Sequence, residues 1–178
     1  GAQALKQGKN VVHFTLELAD TAVAQRYDAC LTGFQLDDLI NQKEAVYDEI
    51  KEIDGQLIVK EYPTKSVSPV TLKNHLEKIR QTEMEIDMIV VDYGDLLKSS
   101  VVRKNSEKRH ELESIYEELR GLGQEFGCPI VTASQTNRKG LNEEVITMES
   151  ISEAFNKCFV ADFIISLSRT IKDRNANI

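Results

Sequence analysis

The sequence predicts an α/β fold: a mainly parallel sheet with helices on both faces, in a single domain over residues 1–178. Three observations carry this prediction. Short apolar runs alternate along the chain with longer amphipathic ones. The short runs are apolar at consecutive rather than alternate positions, as strands buried on both faces are. A chain of 178 residues, 41% hydrophobic and 29% charged, has the length and composition of one folded domain with a real core.

Val11–Glu17 (VVHFTLE) reads as the first buried strand. Asp20 is placed to cap a helix whose apolar face is Val23, Tyr27, Cys30, Leu31 and Phe34. A second helix is expected over Asn41–Ile53, ended by Gly55, and a strand over Gln56–Glu61. Ser68-Pro69 starts the next helix, because proline in the first turn forfeits no hydrogen bond; Leu72, Leu76 and Ile79 form its inner face. Asp87–Tyr93 (DMIVVDY) is a strand, and Arg109–Phe126 a helix that keeps Leu112, Ile115, Tyr116, Leu119, Leu122 and Phe126 on one side. Gly127 can close it in a left-handed cap. Pro129–Ser134 is a strand, Gln135–Met148 a polar loop, Glu149–Lys157 a short helix and Phe163–Ser168 a final strand.

The composition excludes several classes of function. With 22 basic against 29 acidic residues the net charge is −7, so a general basic surface for nucleic acid is excluded, though one local basic loop is not. The three cysteines, Cys30, Cys128 and Cys158, are far apart and form no C-x-x-C pair, which argues against zinc and redox motifs and for a reducing cytoplasm. Apolar runs such as Met88–Val91 are too short to span a bilayer, and the first residues carry no apolar signal segment. His13 reads as a core or interface histidine, and His75 and His110 sit on helices without metal-ligand partners.

Right-handed crossovers put the C-terminal ends of parallel strands on one edge, where ligands of such sheets bind. Three strands end there in polar residues: Thr15-Leu16-Glu17, Asp92, and Ser134-Gln135. Strands also end in polar residues simply because the chain leaves the core. Two carboxylates and an amide on one rim are nevertheless what phosphate chemistry requires: one to hold hydrated magnesium, one to activate water, one to sense the terminal phosphate. Met88-Ile89-Val90-Val91-Asp92 matches the Walker B pattern of apolar residues followed by aspartate.

Longer segments carry a resemblance. VVHFTLEL resembles the segment of DnaB-type replicative helicases that bears the catalytic glutamate, MIVVDYGDLL their Walker B segment, and YEELRGLGQEFGCPIVTASQTNR the helix, strand and third motif that follow. ADFIISLSRT is similar to the family's next strand. Order and spacing agree over nearly the whole chain. The resemblance implies a RecA-fold ATPase domain that uses ATP and Mg2+ and assembles as a homo-hexamer around single-stranded DNA. It also implies 5'-3' translocation, with a primase or helicase loader as a further partner. It places Glu17 on the water-activating glutamate, Asp92 on the magnesium-holding aspartate, and Gln135, with Asn137 and Arg138, on the motif linking the γ-phosphate to DNA-facing loops.

The 178 residues contain no G-x-x-x-x-G-K-[ST] run. Gly1–Gln7 looks like the helix that follows that loop in the family, and the segment after Arg169 is shorter than the family's. A domain cut at both ends is therefore expected, inactive toward ATP as it stands. Arg103, Lys104 and Lys108, with Lys98 and Arg109, form one basic loop; Arg138 and Lys139 lie in a second. Either can be a solvated loop or a contact with DNA phosphates. Neither loop holds an aromatic residue, so binding there would be to the backbone and blind to sequence. The rival functions are another ring-forming RecA-class ATPase, such as a recombinase or clock-type switch, and a non-catalytic assembly module.

Overall fold

The computed structural model describes residues 1–100, 108–135 and 157–167. Strands β1 (Val11–Thr15), β2 (Leu57–Glu61), β3 (Met88–Asp92) and β4 (Ile130–Thr132) form one sheet in the order β2-β1-β3-β4, every pair parallel. The helices are α1 (Ala2–Lys6), α2 (Asp20–Thr32), α3 (Lys43–Ile50), α4 (Pro69–Arg80), α5 (Lys108–Phe126) and α6 (Lys157–Val160), with a 3-10 turn at Gly94–Leu96.

Alternation along the two central strands builds a core on each face. Val12 and Phe14 of β1 and Ile89 and Val91 of β3 pack with Leu72, Leu76 and Ile79 of α4 and with Leu112, Ile115, Leu119 and Leu122 of α5. On the other face Val11 packs with Leu5 of α1 and Val23 and Tyr27 of α2, with Met88 and Val90 of β3 half-buried against them. All of β1 is buried, which is why its sequence shows a continuous apolar run instead of alternation.

The helix signals worked as physics requires. Ser68 caps α4 through a reciprocal exchange with Thr71, and Pro69 occupies the first helical position. Gly127, at φ +65°, follows α5 in the left-handed region. His13 is a core residue, with Nδ1 3.0 Å from the Tyr27 hydroxyl. Burial pushes Tyr27 up to about 12, so its hydroxyl keeps its proton. Nε2 of His13 is buried with no partner among the described residues.

Four expectations need correction. Asp20 is the first residue of α2 rather than its cap; Ala19 precedes it in extended conformation, and the Asp20 carboxylate accepts the next amide, of Thr21, instead. Cys30 lies off the apolar face and is exposed, while Cys128 and Cys158 are buried. The second helix is confined to Lys43–Ile50, and Gly55 serves a close approach: a Cβ there would lie 2.6 Å from the Lys9 carbonyl. Residues Phe163 to Leu167 do not form a strand. Phe163, Ile165 and Leu167 are 86%, 77% and 88% exposed, and β4, the outermost strand, is not paired with them. An apolar run becomes a strand only where a neighbour completes its ladder. Of the expected helix Glu149–Lys157, only Lys157 lies within the described residues, where it is helical, as part of α6.

Candidate active site

Parallel pairing brings the strand ends together as expected. Thr15, the last residue of β1, is in register with Asp92, the last of β3, and the Leu16 amide donates to the Asp92 carbonyl at 2.8 Å. Glu17 follows two residues beyond β1 and is exposed; Asp92 is half-buried. Ser134 and Gln135 emerge, both exposed, from β4 on the far side of β3. The rim thus presents Glu17, Asp92 and Gln135 in that spatial order, on three neighbouring strands.

Short polar side chains hold these loops. The Thr15 hydroxyl donates to the Leu18 carbonyl at 2.8 Å and accepts the Leu18 amide at 3.2 Å, closing the turn that carries Glu17. Thr64, beyond β2, donates to the Leu16 carbonyl at 2.6 Å. The Thr132 hydroxyl donates to the Val91 carbonyl at 2.8 Å and accepts the Gly94 amide at 2.8 Å, fixing the turn after Asp92 against β4. The Lys65 ammonium donates to the carbonyls of Asp95 and Leu97, joining the loop after β2 to the same turn.

The rim is electronegative. Burial raises the Tyr93 hydroxyl pKa, and the carboxylates of Glu17, Asp95 and Asp92 raise it further. Burial lowers the His13 pKa, against the opposing pull of Asp92. The carboxylates of Glu17 and Asp92 have no hydrogen-bond or ion-pair partner among the described residues. Among the described residues, no three His, Cys, Asp or Glu side chains converge there as direct metal ligands. An uncommitted half-buried aspartate without further protein ligands fits a hydrated cation held at one point, rather than an ion stripped of its water.

The other site residues divide differently. Lys108 opens α5. Arg103, Lys104, Arg138 and Lys139 lie outside the described residues, as do Asn137 and the greater part of the final helix. Sequence reasoning missed Thr15, Thr64, Thr132 and, above all, Asp95. The Asp95 carboxylate accepts from Tyr116 of α5 at 2.8 Å, Ser134 at 3.2 Å, and Lys157 of α6 at 2.9 and 3.1 Å. Its position three residues after Asp92 is the one signal that could have singled it out.

Comparison with known proteins bears on this geometry. The family described as "DnaB-like helicase C terminal domain" matches residues 2–149. The chain is similar to the DnaB-like replicative helicase of Enterobacteria phage T4, 30% identical over 180 residues, which cover 95% of this chain and 38% of that protein. It is also similar to the probable plasmid replicative DNA helicase of Chlamydia trachomatis serovar L2, 30% identical over 141 residues, covering 76% of this chain and 30% of that protein. The chain thus spans well under half the length of these curated relatives. Among solved structures, one described as an ATPase domain matches with a TM-score of 0.79 at 14% identity, over 99% of this chain and 64% of that one. A DnaB-like replicative helicase, described with its interactions with primase, matches with a TM-score of 0.71 at 15% identity, over 90% of this chain and 43% of that one. At such identities the structures show the shared fold alone, the mainly parallel sheet with helices expected from the sequence.

Proposed function

This chain belongs to the DnaB-like helicase C-terminal domain family, and from that premise we propose that residues 1–178 are part of the ATPase motor of a hexameric replicative DNA helicase. One observation carries the proposal. Thr15 pairs with Asp92 in the β1–β3 register, Glu17 follows two residues beyond Thr15, and neither the Glu17 nor the Asp92 carboxylate is committed to another described residue, which supports the reading.

The roles follow from exposure and position. Asp92, half-buried at the end of the central strand, would hold hydrated Mg2+, which supplies charge neutralisation at the phosphates. Glu17, exposed beyond β1, accepts a proton from the attacking water. The new bond joins water oxygen to the γ-phosphorus, and the bond to the β–γ bridging oxygen breaks, releasing ADP and phosphate. Gln135, neutral and on the neighbouring strand end, senses the terminal phosphate. Arg103, Lys104, Lys108, Arg138 and Lys139 contact single-stranded DNA through its phosphates, so affinity falls steeply with salt and little with sequence. A ring of identical subunits and a primase or loader complete the reading; the neighbour described with primase supports that last partner.

The test uses a protein that joins these residues to a G-x-x-x-x-G-K-[ST] segment. Glu17→Gln keeps shape and removes one charge, so ATP binding persists while hydrolysis falls about 10²–10⁴-fold, the usual worth of a placed general base. Asp92→Asn weakens magnesium-dependent binding together with turnover. Hydrolysis at the parent rate in Glu17→Gln would show that Glu17 is only a strand end.

A further inference from the structure

The Asp95 carboxylate collects four side-chain hydrogen bonds from three separate elements. Tyr116 comes from the middle of α5, Ser134 from two residues beyond β4, and Lys157 from α6. The Lys157 side chain is 2% exposed and that of Asp95 16%. The Tyr116 hydroxyl is kept protonated by burial and by the Asp95 charge, so it can only donate here. Asp95 itself is held in place from behind: Lys65 takes its carbonyl, and the preceding Gly94 amide is bound to Thr132.

The chemistry of this cluster is not what fold stability requires. A buried lysine–aspartate pair gains little over an apolar contact of similar volume, because both charges lose their water. What such a pair does supply is register: a carboxylate holding four bonds from three directed donors accepts one arrangement of its neighbours. The neighbours are informative. Ser134 immediately precedes Gln135, and Asp95 lies three residues after Asp92. Ser134 and Lys157 are also the two flanks of the chain segment that holds Arg138 and Lys139. Both flanks of a candidate DNA-contacting segment are therefore bonded to one carboxylate, on the turn that leaves the proposed magnesium residue.

We propose that Asp95 is a positioning residue that couples the DNA-contacting segment between β4 and α6 to the hydrolytic site, acting through Ser134 on one flank and Lys157 on the other. The coupling rests on the helicase reading; the geometric tie does not. It adds to the role given to Gln135, because the link runs through the turn after Asp92 and through α6, neither of which needs to touch nucleotide. Arg120 of α5 reinforces α6 by bonding the Val160 carbonyl and, at 2.7 Å, the Asp162 carboxylate.

Two measurements test it. In the ATPase carrying a P-loop segment, Asp95→Asn keeps size and removes the charge, and Lys157→Met keeps much of the volume and removes the partner. Each variant is assayed for hydrolysis with and without an oligothymidylate. We expect the DNA-stimulated kcat to fall about tenfold, equivalent to losing one charge-assisted hydrogen bond, with the KM for ATP within about twofold of the parent. The ratio of stimulated to basal rate should collapse toward one. The double variant should lose no more than either single, since both break one tie. A preserved ratio, or equal losses with and without DNA, would overturn the coupling. In residues 1–178 alone, Asp95→Asn should speed amide hydrogen exchange at 134–135 and 157–160 while Val12 and Ile89 stay protected. Unchanged exchange there would overturn the tie itself. A parent protein that neither hydrolyses ATP nor responds to DNA would sink the helicase reading and the coupling with it, leaving the exchange result to decide whether Asp95 positions these two segments.

Discussion

The two sides of the rim are held by different forces. On the inner side, Glu17 follows β1, which is buried on both faces, and Asp92 ends β3, which is buried on one face and half-buried on the other; the two backbones share a five-residue ladder. On the outer side, β4 has three residues, its Val131 is 47% exposed, and α6 reaches the rim through Lys157 and Arg120. The inner side places its carboxylates by packing, which is dense and resists small displacements. The outer side places its groups by a few directed polar bonds, which can be exchanged singly. Such a division lets the two carboxylates stay put while the outer segments shift.

The sharpest way to break this comparison is to weaken both sides by truncation. Phe14, fully buried in β1, should cost about 3–5 kcal/mol as Phe14→Ala, whereas Val131→Ala on β4 should stay within about 1 kcal/mol. Denaturant titration of the two variants decides it; comparable losses would mean that β4 is as deeply committed to the fold as β1. A smaller effect is expected where the two sides meet. Thr132→Val removes the donor to Val91 and the acceptor for the Gly94 amide, and should cost about 1–3 kcal/mol because a part-buried amide loses its partner. Thr132→Ser should restore most of that stability, which a purely steric role for the side chain would not allow.

Acidity provides the finest distinction, because the buried histidine lies on the inner side. Burial lowers the His13 pKa below the ordinary histidine value, so the unfolded chain takes up a proton more readily than the folded one. Its contribution to stability is complete above about pH 6.5 and is lost as pH falls below that value. His75, also lowered by burial, acts in the same direction. The denaturation midpoint should fall between about pH 7.5 and 5.5, and His13→Gln should flatten part of that slope. Asp87, lowered by the Asn10 amide and Lys9, matters only at more acid pH, where the carboxylate begins to protonate.

The same contrast explains what could be read from the sequence. β1, β3 and α5 were legible because burial writes itself into composition: continuous apolar runs for the strands, a helical period for α5. Glu17 and Asp92 were legible as the first acidic residues after those runs. Lys157 was not, because a lysine at the end of an expected helix reads as solvated surface, and nothing local announces that its ammonium is buried against Asp95. Thr132 looked like an ordinary strand residue; its two bonds depend on where β3 ends in space. Phe163 to Leu167 misled for the converse reason. Their pattern satisfies a strand, but strand formation is a property of two chains of hydrogen bonds and cannot be decided from one.

The distribution of thiols has a practical consequence. Cys30 is exposed, whereas Cys128 and Cys158 are buried, and burial raises the pKa of both buried thiols. A maleimide should therefore tag Cys30 first and the other two slowly, since the thiolate is the reacting form. Cys158 adjoins Lys157 on α6, so its labelling rate becomes a clock for α6 leaving α5 and the Asp95 turn. With Cys30 changed to Ser, the modification rate at Cys158 can be followed by mass during turnover, reading out motion on the outer rim without any engineered probe.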